Sequence, residues 1–205
     1  MHYATLRAEE VTSVDNVSVT SPARTIIDVA RTDSFDVSLA MADAAVRSGL
    51  VTIDALWDAQ WAARSRRGGR RVERLIAAID ARSESVGESR SRAVIIDLGF
   101  PVPELQVDLR GREGFLGRVD FWWPSHRVVG EFDGRGKYLD SRIRSASSSD
   151  LEVVAEKRRE DAIRRYVRGF ARWDWSDLAD AERMRHILES AGVYPHQNAG
   201  ARARR

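Results

Sequence analysis

The stretch from Arg118 to Gly134, RVDFWWPSHRVVGEFDG, constrains the fold more than any other part of this chain. Val, Phe and Trp fill two arms at strand spacing, and Pro124, Ser125 and His126 interrupt them as turn residues do. The spacing predicts a β-hairpin. With a two-residue loop at Ser125 and His126, Asp120 faces Glu131, Arg118 faces Asp133 and Trp122 faces Val129. Val119, Phe121, Trp123, Val128, Gly130 and Phe132 then make the opposite, apolar face, so one face builds core and the other gathers charge. Directly opposed side chains have Cβ atoms roughly 5 Å apart, and like charges there repel. At an effective dielectric of about 20 the repulsion is ~3 kcal/mol. A proton, the nearby Arg118 or a divalent metal ion would offset it, and the metal would make the arrangement functional.

A chain of 205 residues, 43% of them hydrophobic, can bury one good core and a small second domain. No apolar run approaches the roughly 20 residues of a membrane span, and Met1 to Glu10 has no signal-peptide pattern. The expectation is a soluble, cytoplasmic protein with no membrane contact. The absence of cysteine excludes disulfides and thiolate catalysis. Four scattered histidines, His2, His126, His186 and His196, argue against a zinc cluster, so any metal would be bound by oxygen. The net charge of +2 hides an asymmetry: ARSRRGGRRVER, residues 63–74, carries six arginines against Glu73 alone. Lys137 and Lys157 are the only lysines, so arginine supplies nearly all the positive charge. Its planar fork suits phosphate, although an arginine-rich, alanine-rich composition also arises from a GC-rich genome.

The first half reads as helical. Ser21 caps a helix that has Pro22 at its first position; a second runs from about Ser34 to Ser48 and stops at Gly49; Thr52 caps a third. Gly68 and Gly69 mark a loop before a helical pattern from Arg70 to Ile79. The second half mixes periods. Val86 to Leu98 reads as a helix, Leu105 to Leu109 as a strand, and the Arg118 hairpin follows. Gly, Ser and Arg dominate residues 134–149, the composition of a mobile loop. Ser149 with Glu152 resembles a capping box opening a helix, Phe170 to Trp175 is a strand, and Ser176 caps a last helix reaching about Ser190. These boundaries predict a helical region over 1–82, an α/β domain over 83–192 and a disordered basic tail over 193–205.

The order helix, three strands, helix, strand resembles the PD-(D/E)XK, or restriction-endonuclease-like, fold: a mixed sheet flanked by helices. VDF at Val119 to Phe121, then VVGEFDG, then EKRREDAIRRYVRGFARWDW, resembles the very-short-patch-repair-type endonuclease-related domains of unknown function. VTSPARTIIDVAR, SESVGES and PVPELQVDLR resemble actinobacterial members in which a winged-helix, AbiEi-type antitoxin-like domain comes first; that domain has no counterpart here. The resemblance implies Mg²⁺ or Mn²⁺ held by Asp120 and Glu131, with Glu88 on the first helix as a further ligand. Ser85 to Glu88 also has the spacing of a capping box, which would engage Glu88 structurally. The family pattern's lysine, two residues after the Glu, is here Asp133, which can bind metal or accept a proton but cannot donate as an ammonium does. Lys137 is the candidate for the cationic role, with Lys157 behind it; Gln106, at the middle of the preceding strand, could reach the site, but a strand-edge glutamine is the favoured reading.

The catalytic candidates are therefore Asp120, Glu131, Asp133 and Lys137, and the metal candidates Asp120, Glu131 and Glu88. Arg66, Arg67, Arg70, Arg71 and Arg158 are candidate contacts to a nucleic-acid backbone, although solvated helix faces account for many exposed arginines. Trp123 reads as core, while Trp122 is open to either core or base stacking. Gly130 to Lys137 fails as a P-loop, because the glycine spacing is wrong and Tyr138 replaces the Ser or Thr. The expected function is hydrolysis of DNA phosphodiester bonds by metal-activated water. The alternative is a catalytically inactive nuclease-fold DNA-binding or antitoxin-like regulator, with a toxin–antitoxin partner or a second copy of the chain as further candidate partners.

Overall fold

In the computed structural model, which describes residues 6–62, 67–112, 114–134 and 150–196 and only the backbone of 150–156, the chain divides into two units, Met1–Ser89 and Arg90–Arg205. The first begins with a 3₁₀ turn, Ala8–Glu10, and a hairpin of β1 (Val11–Val14) and β2 (Val17–Thr20). Asp15 and Asn16 turn that hairpin with φ of 48° and 62°, the left-handed pair that a two-residue loop needs. The expectation of a purely helical first half is corrected here. Four helices follow: α1 (Pro22–Thr32), α2 (Phe35–Arg47), α3 (Ile53–Ala62) and α4 (Gly69–Ala78). Ser21 Oγ accepts from the Arg24 amide and Thr52 Oγ1 from the Ala55 amide, so both predicted caps form. Helix α1 packs on the other three, and Ile26, Ile27, Leu39, Leu56, Val72, Leu75 and Ile76 are buried.

The units divide within α5 (Val86–Asp97). Beyond it the chain forms a mixed sheet in the order β3 (Glu104–Gly111), β4 (Gly114–Trp123), β5 (Val128–Asp133), β6 (Gly169–Asp174). The first two junctions are antiparallel and the third is parallel, which requires a crossover; the chain makes it through α6 (Asp150–Tyr166). This is an α/β fold with a mixed sheet flanked by helices, as the order of elements predicts. The single last helix is corrected: Asp174 caps a four-residue turn, α7 (Trp175–Leu178), and Asp180 caps α8 (Ala181–Ala191). Val193 is buried and the His196 amide donates to the Gly99 carbonyl at 2.9 Å, so the chain is anchored through His196.

Each face of the sheet builds its own cluster. Phe121, Trp123, Val128 and Trp173 pack with Ile95, Phe100, Met184 and Leu188 on one side. Leu109, Val119 and Val129 pack with Ile163 of α6 on the other, joined by Trp122 and Phe170. Gly130 is required where the two tryptophans cross β5, since a Cβ there would lie 2.5 Å from Trp173 Cη2 and 3.0 Å from Trp123 Cζ3. Both indoles are anchored, Trp123 Nε1 on the Pro101 carbonyl at 2.7 Å and Trp173 Nε1 on Ser91 Oγ at 2.8 Å. Among the described residues no helix is long and apolar enough to cross a membrane.

Candidate functional site

The hairpin has the predicted register but a longer loop. Phe121 pairs with Gly130, Trp122 with Val129 and Trp123 with Val128, while the turn takes four residues, Pro124 to Arg127, rather than two. The β4–β5 ladder ends at Phe121 and Gly130, one step before Asp120 and Glu131. There the Phe132 amide donates to Asp120 Oδ2 at 2.9 Å, so a carboxylate replaces the carbonyl that strand pairing would supply. On the other flank Gln106 adopts a left-handed φ of 54° and drops out of the β3–β4 ladder opposite Asp120. Its Nε2 reaches Asp120 Oδ1 at 3.5 Å. The alternation of β4 breaks at the same point: Val119 joins the α6-side cluster and Phe121 the opposite one, which corrects the expectation that they share a face. On their other sides Arg118 lies opposite Asp108 of β3 and Asp133 opposite Asp174 of β6, and the predicted Arg118–Asp133 pairing falls beyond the end of the β4–β5 ladder.

Asp120 thus stands one step beyond the end of the β4–β5 ladder and opposite the single position skipped in the β3–β4 ladder, and by register the position facing it is Glu131. The Glu131 side chain is 13% exposed and both of its oxygens carry a guanidinium. Arg159 Nη2 lies 3.0 Å from Oε1, and Arg172 Nη2 lies 2.7 Å from Oε2. Two features of the chain bring these arginines in. Glu131 and Arg172 are register partners across the parallel β5–β6 junction. Gly117 leaves room for the Arg159 stem, whose Cγ would be 3.0 Å from any Cβ there, and Arg159 Nη1 donates to the Arg118 carbonyl at 3.0 Å. Arg172 is shared with Glu160, 3.0 Å away, and Arg164 holds the other oxygen of Glu160 at 2.7 Å. The guanidinium carbons of Arg164 and Arg172 sit 4.3 and 5.4 Å from the centroid of the Phe170 ring.

The charges reinforce one another. The hydrogen bond from Arg164, helped by the charge of Arg172, outweighs burial and holds Glu160 below the usual carboxylate range. Burial works against the charge on Arg172, and the Glu131 and Glu160 carboxylates outweigh it, so this guanidinium keeps its proton more firmly than usual.

The other predicted residues distribute unevenly. Glu88 serves the helix cap: Ser85 Oγ donates to Oε1 at 2.8 Å, the Glu84 amide donates to Oε2 at 2.9 Å, and the Glu88 amide returns to Ser85 Oγ. It falls in the Met1–Ser89 unit, Asp120 and Glu131 in the other. Asp133 is exposed at the end of β5. Lys137 and Arg66 lie outside the described residues. Arg67, Arg70 and Arg71 are exposed in the first unit, and Arg158 and Lys157 are exposed on α6. Arg159, one residue on from Arg158, is the one that turns to the acid pair. The sequence reading missed Arg172, Arg164 and Glu160. Only the strand period gave a signal, since Arg172 alternates with the buried Ala171 and Trp173.

Two carboxylates on neighbouring strands are suitable donors for a hard divalent cation that keeps several waters. The donor set therefore fits Mg²⁺ or Mn²⁺ in kind, though an ion at Glu131 would have to displace a guanidinium. Among the described residues no group of three or more His, Cys, Asp or Glu side chains is placed to hold a metal.

Two curated relatives, uncharacterized proteins from two strains of Mycobacterium tuberculosis, are 37% identical to this chain over 153 residues, which is 69% of this chain and 56% of theirs. The chain thus spans about half the length of the curated relatives it matches. No family model matches the sequence, and no solved structure matches it.

Proposed function

We propose that this chain is a nuclease-fold protein that hydrolyses DNA phosphodiester bonds with Mg²⁺ or Mn²⁺ bound by Asp120 and Glu131. The observation that carries the reading is the end of the β4–β5 ladder one step before Asp120 and Glu131, beside a cluster of arginines. The bound ion would supply an acidified water and positive charge beside the scissile phosphate. Asp120 is oriented for this role by the Phe132 amide, which fixes Oδ2, and by Gln106 at Oδ1. Arg159 and Arg172 flank Glu131 with guanidinium forks that match phosphate oxygens. Asp133, exposed beyond Glu131, is a proton acceptor facing solvent.

A second reading is favoured by one observation, the occupation of both Glu131 oxygens by arginine. In it the fold binds DNA without turnover, as an antitoxin-like regulator would. Supercoiled and linear DNA incubated with the protein and Mg²⁺ or Mn²⁺ separate the two readings. Cleavage abolished by Asp120→Ala supports the enzyme. Cleavage unchanged in that variant refutes it, and salt-sensitive binding that ignores metal supports the regulator.

A further inference from the structure

We infer that two copies of this chain associate through α3, the tryptophan ridge of each copy seated in a groove between α1 and α3 of the other. The surface lies wholly within the first unit and is independent of the acid pair on the sheet.

Three observations carry it. First, α3 presents an apolar ridge: Trp61 is 75% exposed, Ile53 is 39% exposed, and the Trp57 and Trp61 rings lie together with centroids 5.8 Å apart. Trp61 alone leaves on the order of 200 Å² in water. Second, a groove of about 810 Å³ runs along the other flank of the same helix, with Ala55, Ala59 and Ala62 on one wall and Ala23 and Ile27 of α1 on the other. Small side chains make it hollow, and its volume is that of pockets that enclose a drug-sized molecule, so an indole pair fits. Leu50, 67% exposed, extends its apolar lining. Third, the arrangement on the helix is self-complementary. At 3.6 residues per turn, positions 57 and 61 form one stripe, 55, 59 and 62 form another, and Asp54 and Asp58 lie between them. A two-fold axis parallel to α3, in front of Asp58, carries the ridge of each copy onto the groove of the other. The contact therefore closes at two chains, whereas a knob and a hollow on unrelated faces would build open filaments. Ridge and groove together offer on the order of 500 Å² per copy. A pair would bury about 1,000 Å², the threshold of a specific interface. That area, with the two Asp58 side chains facing each other across the axis, makes a weak dimer whose population follows concentration.

The test is sedimentation equilibrium over roughly 1–200 μM, a range that brackets a weak interface, on the full chain and on Trp61→Ser, Ala59→Arg and Asp58→Asn. Trp61 and Asp58 are exposed and Ala59 lines the groove, so all three variants should melt with the unaltered chain. If Ala59→Arg melts early, Ala55→Arg fills the same groove in its place. The unaltered chain should pass from monomer to dimer and stop there. Trp61→Ser removes the knob and Ala59→Arg fills the hollow, and each should weaken the dimer about tenfold or more. An equimolar mixture of those two variants should dimerise again, because the intact ridge of one meets the intact groove of the other. Asp58→Asn removes a like-charge pair across the axis and should tighten the dimer. A chain that stays monomeric throughout, or a dimer that Trp61→Ser leaves unchanged, overturns the inference. Loss in both variants with no recovery in the mixture overturns the seating of ridge in groove and places tryptophan against tryptophan. Species that grow beyond the dimer overturn the two-fold closure, and a dimer that Asp58→Asn weakens overturns the position of the axis.

Discussion

Gly130→Ala is expected to destabilise the sheet-bearing unit by about 3 kcal/mol. The added methyl carbon would sit 2.5 Å from Trp173 Cη2, 2.9 Å from its Cζ3 and 3.0 Å from Trp123 Cζ3. Carbon atoms prefer roughly 3.5 to 4.0 Å, so the overlap is about 1 Å on one ring and somewhat less on the other. Neither ring has an easy retreat. Both are almost fully buried, Phe121 lies between them with its centroid 5.1 Å from that of Trp173, and each indole N–H is committed to a partner. Overpacking of this kind costs about 1–3 kcal/mol, and a displaced ring that leaves its N–H unpaired adds about 1–3 kcal/mol more. Urea unfolding followed by tryptophan fluorescence reads the loss directly. In a thermal melt it corresponds to a fall of about 10 °C, since 1 kcal/mol moves the midpoint by roughly 4 °C in a domain of this size. Trimming Trp173 to Phe in the Gly130→Ala background should recover part of the loss, giving a double variant more stable than the sum of the singles. Stability of Gly130→Ala within about 0.5 kcal/mol of the unaltered chain, the range of an ordinary surface substitution, would refute the crossing of the two rings over Gly130.

Asp120→Asn keeps an acceptor for the Phe132 amide and should melt close to the unaltered chain, whereas Asp120→Ala should cost about 1–2 kcal/mol and speed hydrogen exchange at that amide. Equal exchange rates in the two variants would refute the structural half of Asp120's role. Glu160 has a folded pKa below its unfolded value, so its contribution is present above the unfolded value near 4.3 and is lost as pH falls through the folded one. Melts from neutral pH downward should show a shallower acid loss in Glu160→Gln than in the unaltered chain, and identical acid limbs would contradict the Arg164–Glu160–Arg172 linkage.

The acid hairpin was legible because its causes are local. The β-forming FWW and VVG arms and the Pro-Ser-His interruption specify the strands and their register, which survives although the loop is longer than two residues, whereas the alternation expected at Val119 does not. Ser21, Pro22 and Thr52 mark helix starts by the same kind of short-range chemistry. The β1–β2 hairpin also carries a local signal, β-branched VTSV and alternating VSVT on either side of Asp15-Asn16, although its strands have only four residues each and almost no burial. Gln106 is different in kind. Nothing in ELQVDLRG asks for a left-handed residue at that position; the conformation accompanies the break in β4 at Asp120, on a strand joined only by folding. The partners of Glu131 were hidden for the same reason. Arg159 is 28 residues away and Arg172 is 41, and the parallel crossover that unites them with β5 leaves no periodic trace.

Under the proposed nuclease reading, the cation that the resembled pattern places two residues after the acid has a counterpart in space. A lysine two residues after Glu131 would project from the same strand and face; Asp133 stands there instead. Arg172 occupies the register position beside Glu131 on β6 and puts a guanidinium 2.7 Å from its carboxylate. An arginine in place of a lysine would change the chemistry open to such a site. Lysine can change protonation state when its surroundings shift its pKa, but arginine stays charged throughout the physiological range. Arg172 is held still further in its charged form by Glu131 and Glu160. It can clamp a phosphate or stabilise developing negative charge, and it cannot take or deliver the proton of a nucleophile. Hydrolysis at this site would therefore pass that proton to water or to Asp133, and Asp133→Asn would be the variant that alters the pH profile of cleavage while leaving duplex affinity in place.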